Sequence, residues 1–109
     1  MIGTEKMLRI TVALGGSLLL FSPALAQSPD ISKGKKRAEV CMACHGEDGH
    51  SVAPGYPHLA GQDNEYLVKA LEAYRGGQLR QDPTMTEMAK PLTDADIANI
   101  TAFFSSLPR

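Results

Sequence analysis

The two cysteines of this 109-residue chain stand three positions apart, with a histidine directly behind them: Cys41-Met42-Ala43-Cys44-His45. A disulfide across so short a loop does little to confine an unfolded chain. Yet a domain of this size buries only about 60–65% of its unfolded surface, and it usually needs a staple. A group that fills the core and is fixed by both thiols meets that need.

The same five residues say what the group is. C-x-x-C-H is the attachment signature of c-type haem. Two thiols at this spacing near a helix end reach two neighbouring vinyl groups of one porphyrin, each forming a thioether, and the next side chain, His45, is directed at the iron as an imidazole ligand. Three rivals fit less well. A thioredoxin-like pair belongs near a βαβ pattern, which the chain does not show. A zinc site needs two further ligands at suitable spacing, and only His50 and His58 are left, in no paired motif. A plain disulfide leaves His45 without a role.

The amino-terminal segment points to export. Lys6 and Arg9 precede an apolar run from Ile10 to Phe21, which ends in Pro23-Ala24-Leu25-Ala26. Small residues at those positions predict a secretory signal over 1–26, cut after Ala26, and a single domain over 27–109. The run of about 12 apolar residues falls short of the roughly 20 that span a bilayer, so no membrane span is expected after cleavage. The formal net charge of −1 gives no polycationic surface for nucleic acid. Lys33, Lys35, Lys36 and Arg37 form a local basic run that reads as a solvated helix face; a docking patch for an acidic redox partner is the alternative.

The pattern of apolar residues predicts an all-α domain. A first helix is expected from about Ser32 to Ala43, capped by Asp30 or Ser32, with Gly34 permitting a close crossing. A second, from about Asn64 to Arg75, is capped by Asp63 and stopped by Gly76-Gly77; Tyr66, Leu67, Ala70, Leu71 and Tyr74 share its apolar face. A short turn begins at Asp82-Pro83 and closes before Pro91. The last helix, from about Asp94 to Leu107, opens on a capping-box-like Thr93 and Asp96 and carries Ile97, Ile100, Phe104 and Leu107 as a stripe, with Phe103 beside it. The Gly- and Pro-rich stretch from Gly46 to Gln62 is long for a compact domain, which points to function.

With these elements placed, the chain resembles a class I cytochrome c, and is most similar to the small bacterial kind, including single halves of the two-haem cytochromes. The resemblance rests on CMACHGEDG from Cys41 to Gly49, Pro57-His58-Leu59-Ala60-Gly61-Gln62, Tyr66-Leu67, and Met85-Thr86-Glu87-Met88-Ala89 ahead of Leu92-Thr93-Asp94. It covers nearly all of 27–109. It implies helices wrapped around one covalent haem c, the first and last crossing, with Gly34 and the Phe103–Phe104 pair expected at the crossing. On residue type alone, Met85 and Met88 both qualify as the second axial ligand, a thioether that favours Fe(II) and raises the potential. Met42 lies inside the attachment motif and cannot reach the opposite face. The resemblance favours Met85 and leaves Met88 to pack on the haem edge; His50 and His58 are read as surface loop histidines. It also implies that the Pro57 carbonyl accepts the second N–H of His45 and that Leu59 packs on the ring. Tyr66, Tyr74 and Arg80 are candidates for bonding propionates.

The function so implied is a periplasmic one-electron carrier, not an enzyme, that cycles between Fe(II) and Fe(III). Its partners would be redox proteins, such as a dehydrogenase, a cytochrome complex or a terminal oxidase, and its state a monomer or weak dimer. The alternative is a haem c electron-transfer subunit of a larger periplasmic dehydrogenase. An enzyme or gas sensor with an open iron position is opposed by the presence of Met85 and Met88.

Overall fold

The first and last helices of the domain cross where one of them has no side chain. A computed structural model describes residues 3, 10–17 and 28–109. Within these lie α1 (Ile31–Arg37), α2 (Glu39–His45), α3 (Asn64–Gly76), α4 (Pro83–Ala89) and α5 (Asp94–Ser106), and no strand. The expected all-α architecture, with the first and last helices crossing, is the one observed. The expected signal segment falls largely outside the described residues. Among the described residues, no helix is long and apolar enough to cross a membrane.

Gly34 of α1 faces the backbone of α5. A Cβ there would run into the carbonyl of Asn99 and lie 3.1 Å from the Ile100 nitrogen. The crossing is fastened at its start by the Asp30 N–H, which donates to Asn99 Oδ1 at 2.8 Å, and further along by Arg37 Nε at 3.6 Å from Asp96 Oδ2. Phe103 and Phe104 lie a turn beyond the contact point rather than at it. They are buried, with ring centroids 5.0 Å apart, and join Ala38, Leu67, Ala89, Leu92, Ile97 and Ile100 in one core. Burying one such phenylalanine is worth about 1.5–3 kcal/mol.

The single first helix expected from the sequence is two. The helix breaks at Ala38, which is wholly buried, and the Cys41 N–H bonds the Ala38 carbonyl at 2.8 Å in a tightened turn. Nothing in residue type announces this break, for neither glycine nor proline stands there. The other boundaries follow their caps. Asp63 accepts from the Tyr66 N–H at 2.8 Å, Asp82 from the Met85 N–H at 2.9 Å with Pro83 in the first turn, and Thr93 and Asp96 form a reciprocal capping box at 3.0 Å each way.

Candidate haem-attachment site

The attachment motif occupies the carboxyl-terminal end of α2, where Gly46 ends the helix at φ 86°, ψ 147°. That conformation belongs almost solely to glycine, and a Cβ there would collide with the His50 backbone. The chain therefore turns sharply just after His45. It returns over the helix as a long loop closed on itself: the Gly49 carbonyl accepts from both the Leu59 and Ala60 N–H groups, at 2.8 and 3.1 Å.

This return places the Pro57 carbonyl 2.9 Å from His45 Nδ1. A carbonyl can only accept, so the proton sits on Nδ1 and the lone pair of the imidazole is left on Nε2. The ring is buried, with 7% of its surface exposed, and Tyr56 meets it edge-on at 6.4 Å between centroids. Such a second-sphere acceptor fixes the tautomer and ring direction and makes the free nitrogen a better metal donor. Sequence reasoning did not single out Tyr56.

Cys41 and Cys44, both part-buried, are free thiols one helical turn apart on the same helix. Burial pushes the Cys41 thiol up; the Arg37 guanidinium pulls against this, and the neighbouring Cys44 adds to it. A thiol held in the protonated form is the poorer partner for disulfide exchange. Cys41, Met42 and Leu59 pack against the core from the site side.

Met85 stands in the first turn of α4, part-buried, its N–H capped by Asp82. Met88 is 38% exposed. Helix α4 lies on α3, and no Cα of α2 comes within 8 Å of any Cα of α4. The imidazole and the thioethers thus come from separate elements, so that one donor from each would be available to hold a haem iron. Between the two cysteines, an imidazole with a free lone pair and a thioether on a separate helix, the donor set fits one covalent haem c. Thr86, next to Met85, carries a buried hydroxyl with no partner among the described residues; no pattern in the sequence marks it.

The remaining candidates are accounted for within the protein. Arg80 donates to the hydroxyls of Tyr74 and Tyr66, at 3.2 and 3.0 Å, and these bonds hold its guanidinium above the usual arginine range. His50 and His58, read from the sequence as plain loop residues, are both hydrogen-bonded, with ring centroids 5.5 Å apart.

The geometry agrees with what known proteins show. The family model described as "Cytochrome c" matches residues 31–108. Cytochrome c-554(548) of Halomonas halodenitrificans is 46% identical over 79 residues, covering 71% of this chain and 95% of that one. The crystal structure of reduced recombinant cytochrome c4 from Pseudomonas stutzeri superimposes with a TM-score of 0.70 at 41% identity, over 73% of this chain and 46% of that one. A thiosulfate dehydrogenase electron acceptor of Thiomonas intermedia is 36% identical over 101 residues, 90% of this chain and 43% of that one. The chain therefore spans nearly the whole of the first relative and less than half of the other two.

Proposed function

The chain belongs to the cytochrome c family, and from that premise we propose that it is an exported electron carrier of the periplasm, its haem c stitched to Cys41 and Cys44 and its iron held by His45 and Met85. It is an electron-transfer protein rather than an enzyme, and haem c is covalently bound in it. When bound, the group supplies the one-electron Fe(II)/Fe(III) couple. The protein's own work is to hold and tune. His45 presents Nε2 because Pro57 occupies Nδ1. Asp82 caps the turn that carries Met85, and Cys41, Met42 and Leu59 pack against the core. A neutral thioether opposite an imidazole favours the reduced state and a higher potential. The charged, signal-like start of the chain supports the periplasmic assignment.

The observation that carries this reading is the His45–Pro57 bond at 2.9 Å, since it leaves a buried imidazole with one lone pair on Nε2, on the helix that also carries Cys41 and Cys44. The test is the spectrum of the purified holoprotein. The haem colour should survive acid-acetone extraction. The weak long-wavelength band of Fe(III)–Met coordination should vanish in Met85→Ala while the haem stays attached, and persist in Met88→Ala. Loss of the band in Met88→Ala instead would reassign the ligand.

A second reading is favoured by the lengths of the relatives. Since the chain covers only 43% of a thiosulfate dehydrogenase electron acceptor, it is also suited to deliver electrons as one part of a larger assembly with a dehydrogenase. Co-purification with a catalytic partner from the native cells would decide between a free shuttle and such a part.

A further inference from the structure

Pro57 has no N–H, so its own backbone cannot be fastened by donating a hydrogen bond. What holds its carbonyl on His45 must come from its neighbours. On one side, the Leu59 N–H bonds the Gly49 carbonyl at 2.8 Å. Immediately after Pro57, the ring of His58 reaches back across the loop, and its Nδ1 lies 2.9 Å from the Ser51 nitrogen. A backbone N–H can only donate, so Nδ1 of His58 must carry a lone pair. The bond exists only while His58 is neutral, with its proton on Nε2. The ring is exposed to solvent.

His50 and Arg109 are the basic groups that face His58. His50 stands 5.5 Å away, centroid to centroid, and its Nε2–H donates to the Pro108 carbonyl at 3.1 Å, a bond it keeps whether neutral or charged. Arg109 lines the same cavity, with Ala60 and Gln62, while its Nε donates to the Gly61 carbonyl at 2.9 Å. Asp48, on the same loop, accepts from the His50 backbone N–H at 2.9 Å. A proton on His58 thus removes the acceptor of the Ser51 N–H and adds a positive charge beside a permanent cation.

We propose that His58 is a positioning residue for electron transfer: neutral, it pins Pro57 on His45, and its protonation loosens that hold, so that electron uptake is coupled to proton uptake. The inference rests on His45 being an axial ligand. Both consequences of protonation have the same sign. A weaker bond from His45 to Pro57 makes the imidazole a poorer donor and so favours Fe(II). An added positive charge near the site also favours the reduced state. The balance is simple: one electron, from a redox donor protein, reduces Fe(III) to Fe(II), and a proton from water goes to Nδ1 of His58 as the Ser51 bond is given up. By linkage, reduction raises the proton affinity of His58.

The test is the midpoint potential of the holoprotein, measured from about pH 8 to about pH 5.5, across the imidazole range. In the unaltered protein the potential should rise as the pH falls. In His58→Gln, whose amide oxygen can still accept from Ser51 but does not titrate, it should stay near the high-pH value throughout. His50→Gln removes a neighbouring titratable ring yet leaves the Ser51 bond, and should keep the slope. A second measurement guards against misfolding: the exchange protection of the Ser51 amide should fall on acidification in the unaltered protein and hold in His58→Gln. The proposal fails if His58→Gln keeps the full slope, if His50→Gln flattens it equally, or if Ser51 protection ignores pH. Failure with the Fe(III)–Met band intact and His45 ligated removes this coupling alone; failure of the ligation itself shows in the spectrum at every pH.

Discussion

The loop behind His45 is tied to the far end of the chain at three places, through Gly61 to Phe104, His50 to Pro108 and Arg109 to Gly61, whereas α4, which carries Met85, leans on α3 alone among the helices. One axial candidate ends the seven-residue α2 and is bonded through Pro57 to a loop held by ties that span nearly half the sequence, and the other stands on a seven-residue helix held by a cap and one neighbour. Local opening follows the number of such ties, so the thioether side should let go first.

Substitutions can break or sharpen that contrast. The largest effect is expected on the imidazole side. Gly46→Ala forces a side chain into a conformation reserved for glycine and against the His50 backbone; a loss of about 3 kcal/mol is expected, read as a lower urea midpoint for the whole holoprotein. A loss confined to the Met85 side would contradict the picture. Asp82→Ala removes the cap of α4 at a cost of about 1 kcal/mol. Here the Fe(III)–Met band should fade on warming before the fold melts, while in the unaltered protein the two transitions lie closer together.

The smallest effect is at Asp96, which belongs to neither side. The backbone N–H of Thr93 holds its carboxyl below the usual carboxylate range, with the Thr93 side chain and Arg37 assisting against partial burial. A carboxyl with a depressed folded value adds stability that is complete above its unfolded value, near pH 4, and is lost as the pH falls through the folded one. Asp96→Asn should lower the melting temperature slightly at neutral pH and flatten its acid limb below about pH 4, with the Fe(III)–Met band at neutral pH unchanged.

The contrast between the sides also separates what the sequence disclosed from what it withheld. Cys41, Cys44 and His45 were legible because their spacing is itself the chemistry, and the caps at Asp63, Asp82 and Thr93 because a short polar side chain before an apolar period has one common use. Gly34 was legible as a crossing point, but its contact at Asn99 and Ile100, rather than at the phenylalanine pair, depends on the register of two helices more than sixty residues apart. The break at Ala38 carries no residue signal, since burial and not backbone preference accompanies it. His50 and His58 looked alike in sequence as two loop histidines. Only the folded loop shows that one donates to a carbonyl and the other accepts from an amide. Tyr66, Tyr74 and Arg80 stood in the sequence as candidates for bonding propionates; the structure has Arg80 donating to both tyrosine hydroxyls.

The glycine contact between α1 and α5 has a bearing on assembly. Because the first helix is completed by the last, a chain emerging amino end first cannot finish its packing until nearly all of it is out. For that interval the thiols of Cys41 and Cys44 stand on an unclosed thread, within reach of whatever enzyme joins them to a porphyrin. The backbone seat at Gly34 so delays enclosure of the two thiols until the last helix is present.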